Sequence, residues 1–244
     1  MFIHYRTKGF VLKETEKGEA DKLFLVFTKD FGKLEILGKG IRKMKSKLRA
    51  GIPLFSISEI EFIQGKTYKT LTDAILIKDF ETIKKDLKRL QVAFRISEVF
   101  DRLIKEPEKD EAVWQLFNET FDTLNHWSLV IGHWSLIYYY FLWNLLSILG
   151  YQPELYKCLI CGKKLKPENL YFCKEGGIIC HSCYKKEGSR ALKIDPNVVK
   201  ILREILKRNL QNFLKLKIQK EHQKFLQEVS NFYLLAIEQG ILGS

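Results

Sequence analysis

Four cysteines place the tightest constraint on how this chain folds. Cys158 and Cys161 form one C-x-x-C hook and Cys180 and Cys183 form another, with eighteen residues between the two. A turn carrying such a hook points both sulfurs to one side, so two hooks at this separation converge on a single tetrahedral ion. Four soft thiolates satisfy a closed-shell zinc ion, and the loop between the hooks is too short to bury a core without help. One structural zinc held by Cys158, Cys161, Cys180 and Cys183 is therefore expected. Four sulfurs also close the coordination sphere, which favours a staple over a catalytic metal. Spacing alone leaves reduced thiols, a redox pair or an iron–sulfur cluster as alternatives. Cys173, between the hooks, reads as a small buried hydrophobe but leaves open which four sulfurs bind. His181, inside the second hook, reads as exposed or supporting, not as a ligand.

The 244 residues carry 41 Lys and Arg against 29 Asp and Glu, a formal charge of +12. That balance favours a polyanionic partner, with nucleic acid ahead of a membrane surface. A hydrophobic content of 46% suffices for two or three small domains. The first residues, Met1 to Arg6, show no apolar segment followed by a small-residue cleavage site, so a reducing, cytoplasmic compartment is expected, where cysteines ligate metals more often than they pair. The apolar run from Trp127 to Leu149 approaches the length of a membrane span, but His133, Asn144, three serines and a glycine interrupt it. A buried helix, and no membrane, is the expectation.

Residues 1–79 read as strands. Phe10 to Leu12, Leu23 to Phe27, Leu34 to Leu37, Leu54 to Ile63 and Tyr68 to Ile77 are β-branched or aromatic runs separated by turn residues. Asp30-Phe31-Gly32-Lys33 and Gln64-Gly65-Lys66 suit hairpin turns. Five short strands without a long helix suit a small barrel, an OB-fold or an SH3-like one. Between the third and fourth runs lies a loop with the cations Lys39, Arg42, Lys43, Lys45, Lys47 and Arg49 and no acid. Such a block repels itself unless an anion neutralises it, and Gly38 and Gly40 let the backbone approach that anion closely. A solvated loop is the alternative.

From Asp79 the period becomes helical. Ile83, Leu87, Leu90, Phe94, Val99 and Leu103 predict one long amphipathic helix, stopped by Pro107. Asp110 is placed to cap a second helix with Val113, Phe117, Phe121 and Leu124 on one face. Residues 133–149 predict a third, apolar nearly all round and ended by Gly150, whose Trp134, Tyr138 to Tyr140, Phe141 and Trp143 read as core. Asp195-Pro196 opens a helix with Val198, Val199, Leu202, Ile205, Leu206 and Leu210 on its apolar face, and residues 220–238 form the last. The late helices are expected to rejoin the bundle begun at residue 80. The expected layout is thus α+β and multidomain: a five-stranded OB-fold barrel over 1–79, a helical bundle over 80–156 and 191–244, and a zinc module over 157–190 inserted in it.

Motifs for a P-loop, H-E-x-x-H, G-x-S-x-G or a dinucleotide glycine pattern do not occur in the sequence. Neither a catalytic residue nor a small-molecule substrate is therefore assigned. Glu59 and Glu61 share a strand face, which is compatible with a metal-dependent nuclease and does not point to one.

Several stretches in order resemble one family. Arg6 to Leu12, Gly18 to Leu23, Phe27 to Lys33 and Gly38 to Arg42, followed by Leu145 to Leu155 leading into Cys158 to Gly162, are similar to bacterial RecO recombination mediators. The resemblance spans nearly the whole chain and implies the same layout of OB-fold, helical domain and zinc module. It also implies a nucleoid-associated protein that binds single- and double-stranded DNA and anneals complementary strands without a covalent step. Its implied partners are RecR and the acidic tail of single-strand-binding protein, with which it loads RecA. By position, the resemblance assigns phosphate contacts to Arg6, Lys22, Lys39, Arg42, Lys43, Lys45, Lys47 and Arg49. Lysines 163, 164, 166, 185 and 186 of the zinc module are candidates to extend that surface. A nuclease and a protein-only adaptor are the alternative function classes.

Overall fold

A computed structural model describes residues 3–126, 134–187 and 191–240. Residues 127–133 of the long apolar run lie outside the described residues. The chain divides into two units, Met1–Ser128 and Leu129–Ser244.

The first unit is built on five strands: β1 (His4–Lys17), β2 (Asp21–Thr28), β3 (Gly32–Gly38), β4 (Ser56–Gln64) and β5 (Lys69–Asp79). They close in the order β1-β2-β3-β5-β4, and β4 pairs back onto β1. Every pairing is antiparallel except β3 with β5, where Ile36 and Leu37 face Lys69 and Thr70. That ring is the arrangement of an OB-like barrel, as the five apolar runs predict. Val11, Phe24, Val26, Leu34, Ile36, Ile60, Phe62 and Leu71 fill its interior.

Alternation of buried and exposed residues fails along Phe10-Val11-Leu12 and Phe24 to Thr28, which are buried throughout. The outer face there is covered by helices α1 (Glu81–Lys85), α2 (Leu87–Leu103) and α3 (Glu111–His126). Phe10 meets Trp114, Phe117 and Phe121 at ring-centroid distances of 4.9, 5.4 and 5.8 Å. Phe27 meets Phe100 and Phe117 at 4.9 and 5.4 Å. Aromatic pairs at such spacings add to the gain from burying their area. The helices after the barrel thus share a core with it. The single long helix expected from Ile83 to Leu103 is instead broken at Asp86. Its backbone is extended (φ −118°, ψ 116°), and its carboxylate accepts from the N–H groups of Lys88 and Arg89 to start α2. Asp110 caps α3 as predicted, accepting from Val113 N–H at 3.0 Å.

Between β3 and β4 the chain makes a short 3-10 turn, Lys47–Gly51, that lies against β5. A Cβ on Gly51 would sit 1.9 Å from the Ala74 carbonyl oxygen, so only glycine permits this approach. Gly51→Val is expected to destabilise the unit by about 1–3 kcal/mol as an overpacked site does. An unchanged melting temperature would show that the turn simply retreats.

The second unit centres on α4 (Trp134–Ile148), buried continuously from Leu136 to Leu146. An apolar helix without a polar face needs neighbours on all sides. Here α6 (Pro196–Ile205), α7 (Leu210–Leu214) and α8 (Lys220–Glu238) supply them. Trp143 donates from Nε1 to Ser230 Oγ at 2.9 Å and stacks on Tyr233. Its role as core, like that of Tyr138 to Phe141, follows the sequence reading. Asp195 caps α6 as expected, but the apolar face predicted to run on to Leu210 is interrupted. Arg208 takes φ +56°, and Asn209 starts α7 as a new helix. Between α4 and α6 are inserted β6 (Leu170–Cys173), β7 (Gly177–Ile179), helix α5 (His181–Glu187) and β8 (Ala191–Ile194), with sheet order β7-β6-β8. Among the described residues no helix is long and apolar enough to cross a membrane.

Candidate metal centre and nucleic-acid interface

The two cysteine hooks reach one point from different elements. Cys158 to Gly162 form a tight knuckle. Gly162 takes φ +68° and donates its N–H to the Cys158 carbonyl at 2.8 Å. Cys180 ends the strand side of the second hook, and Cys183 stands in the first turn of α5. The Sγ atoms of all four cysteines lie within 4.8 Å of one another, with Cys161 and Cys180 at 3.9 Å. A tetrahedron with metal–sulfur bonds of about 2.3 Å has sulfur–sulfur edges near 3.8 Å, so the cluster fits one ion. It is too open for a disulfide bond of about 2.05 Å, and all five cysteines are free.

The charge balance of the cluster points the same way. Burial opposes ionisation of Cys180, yet hydrogen bonding from the Cys183 backbone, the Ser182 hydroxyl and the Cys183 thiol brings its pKa down to about 6. Burial, followed by hydrogen bonding with Cys180, Cys161 and Cys158, pushes the Cys183 thiol up to about 12. The Cys158 thiol is also held below its ordinary value, so two of the thiols ionise readily while Cys183 resists. A divalent cation removes much of that opposition, since each thiolate bonds the ion and half of their summed charge is offset.

Cys173 stands outside the four. It is buried, hydrogen-bonds the Gly177 carbonyl at 3.1 Å, and is pushed up to about 11, first by burial and then by Glu175. His181 also lies outside the cluster, with Nδ1 3.4 Å from the Tyr171 hydroxyl.

The eight cations assigned to phosphate fall into two groups. Arg6, Lys22 and Arg42 are already paired. Arg6 meets Glu61 at 3.1 Å across β1 and β4, Lys22 meets Glu14 at 2.8 Å, and Arg42 meets Glu16 at 3.2 Å. His4, then Arg6, hold the Glu61 carboxyl below its usual range against a smaller effect of burial. Lys39, Lys43, Lys45, Lys47 and Arg49 are exposed and make no ion pair among the described residues. Their loop is fastened to the β1–β2 turn: Gly40 N–H donates to Asp21 Oδ1 at 2.7 Å, and Arg42 N–H to the Ala20 carbonyl at 2.9 Å. Lys22, Arg42 and Arg49 come together around a cavity of about 390 Å³ whose floor includes Phe24 and Ile41.

A second, larger groove was not foreseen. It measures about 910 Å³ and is lined by Lys17, Lys39, Lys66 and Tyr68 with Leu37 and Ile63. The only hint in the sequence is Lys66 in a predicted hairpin turn; Tyr68, expected to open the fifth strand, lies instead in that turn, and β5 starts at Lys69. A third, of about 430 Å³, lies in the second unit and includes Lys200, Lys217, Ile201, Leu216 and Ile218.

Residues 1–80 match the family described as Recombination protein O N terminal, and residues 84–236 match Recombination protein O C terminal. The chain is 33% identical over 218 residues to a protein of Dehalococcoides mccartyi named DNA repair protein RecO, covering 89% of this chain and 84% of that one. A protein of the same name from Acetivibrio thermocellus is 30% identical over 231 residues, covering 95% and 90% respectively. A third, from Caldanaerobacter subterraneus, is 33% identical over 204 residues, covering 83% and 80%.

Proposed function

Since the chain belongs to the recombination protein O family of DNA repair proteins, we propose that it acts by binding DNA without a covalent step. In this reading it holds single and double strands, anneals complementary ones and, with RecR, helps load RecA on DNA coated with single-strand-binding protein. The observation that carries it is the exposed set Lys39, Lys43, Lys45, Lys47 and Arg49, without an ion pair among the described residues, on a loop fastened to the barrel. Each ammonium or guanidinium that meets a phosphate releases a condensed counterion, which drives binding and makes it salt-dependent. Two strands neutralised on one basic surface repel each other less, so their bases meet more often. Arg6, Lys22 and Arg42 join the surface by exchanging a carboxylate for a phosphate.

Cys158, Cys161, Cys180 and Cys183 would hold one zinc ion, which supplies a structural cross-link and no reactive position. Lysines 163, 164, 166, 185 and 186, all exposed around it, widen the cationic surface in this reading. The acidic tail of single-strand-binding protein is assigned to the groove of Lys200 and Lys217, where cations flank the apolar Ile201, Leu216 and Ile218.

An annealing assay tests the whole reading. Two complementary labelled oligonucleotides, bare or coated with single-strand-binding protein, are expected to pair faster with the protein at low salt, and the gain is expected to vanish as salt rises. Both strands should be recovered at full length in magnesium. Shortened strands would assign a nuclease, and no gain at low salt would leave a protein-only adaptor.

A further inference from the structure

We infer that Tyr68 is a stacking platform for one unpaired base of single-stranded nucleic acid, and that Lys17 keeps its place until the base arrives. This rests on the reading of the barrel as a DNA-binding element and adds a subsite away from the basic loop's tip. Tyr68 lies in the turn between β4 and β5, half-buried, on the wall of the 910 Å³ groove. Gly65 makes that turn possible: a Cβ there would lie 2.2 Å from the Tyr68 carbonyl oxygen.

The Lys17 ammonium stands 3.6 Å from the Tyr68 ring centroid. An exposed cation is held there only weakly, by about 0.5–1 kcal/mol, and a flexible four-carbon stem lets it leave. Its distance from the ring is close to that of a stacked base. A base entering the groove would meet the apolar side chains of Leu37 and Ile63 beside the ring. Its phosphates would run past Lys39 and Lys66, and the displaced Lys17 adds a third cation for them. The groove size lies within the roughly 300–1,000 Å³ of sites that enclose small ligands. Small barrels of this connectivity also take oligonucleotides at the turns joining their first two and last two strands.

A duplex offers no free base face to this ring, whereas a single strand does. The Tyr68 platform therefore separates the two forms of DNA, a distinction the basic loop alone does not make.

The test compares labelled oligo-dT, an abasic oligomer of equal phosphate number and a blunt duplex, with the whole protein and its Tyr68→Leu and Tyr68→Phe variants. Removing a stacking ring weakens binding by roughly 5- to 150-fold per base. Tyr68→Leu is expected to lose affinity for oligo-dT in that range, to bind duplex as before and to keep the salt slope. Tyr68→Phe should bind oligo-dT like the original protein, which also shows that the turn folds without the hydroxyl. The original protein should bind the abasic oligomer about as weakly as Tyr68→Leu binds oligo-dT. Equal oligo-dT affinity for the original and Tyr68→Leu, or an equal loss on oligo-dT and abasic oligomer, overturns the platform while leaving DNA binding by the barrel intact. Absence of binding to any of the three at low salt by the original protein overturns both.

Discussion

Stripping the metal from the Cys158–Cys183 cluster is expected to unfold the inserted module and to lower the protein's melting temperature by on the order of 10 °C or more. The reason is how little else holds the hooks themselves. Strands β6 and β8 carry the buried Leu170, Phe172 and Ile194, with Phe172 meeting Trp143 and Tyr233, but the hooks rest on a smaller patch. Its buried cluster consists of Cys158, Cys173, Ile179 and Cys183, with Leu165, Tyr171, Cys180, Tyr184 and Ala191 only partly covered. A core this small cannot offset the chain entropy lost on ordering it. The protein is expected to carry about one equivalent of zinc by elemental analysis. Cys158→Ser should lose it, and Cys173→Ser should keep it, because the Cys173 sulfur bonds the Gly177 carbonyl outside the cluster. The sign of the pH effect follows from competition between metal and protons. Binding is full where the thiols ionise readily and is lost as pH falls and they reprotonate. A zinc-free preparation that melts at the same temperature would refute the centre.

Reversing the charge of Lys43, Lys45 and Lys47 together, each to Glu, is expected to weaken single-strand binding by roughly 100-fold at low salt and to flatten the salt dependence by about two counterions. These three are exposed and carry no ion pair among the described residues, so nothing within the barrel compensates their loss. Arg42→Ala should cost much less, because Arg42 already spends part of its charge on Glu16 at 3.2 Å. Exposed pairs of that kind are worth about 1 kcal/mol or less, so a phosphate displaces the carboxylate cheaply. Fluorescence anisotropy across a salt series measures both quantities. An unchanged slope in the triple variant would remove this loop from the interface.

Much of this layout could be read from residue order because it depends on local chemistry. Gly32 and Gly65 mark turns, β-branched and aromatic runs mark strands, and the hooks mark their own convergence. Other features depend on what folding brings across from elsewhere. β1 runs on to Lys17, well past Phe10-Val11-Leu12, because Lys13 to Lys17 pair with Asp21 to Leu25 although they bury almost nothing. The acids that meet three of the cations, Glu14, Glu16 and Glu61, are set by strand register and loop path, which composition does not carry. Lys17 ends β1 and Tyr68 lies in the turn between β4 and β5, far apart in the chain, and only barrel closure makes them neighbours. The face of Phe117 and Phe121 reads the same whether it will meet other helices or a sheet, so the sequence could not say that it meets β1 and β2.

That last contact changes where the N-terminal piece of this protein can be cut. A barrel ended at residue 79 would turn Phe10 and Phe27 to water, since Phe100, Trp114, Phe117 and Phe121 are their cover. The smallest transplantable piece is consequently the barrel together with α1, α2 and α3. Any exchange of nucleic-acid-binding modules between relatives must carry those helices along, and the natural seam for recombining this protein's parts lies after α3, not after its last barrel strand.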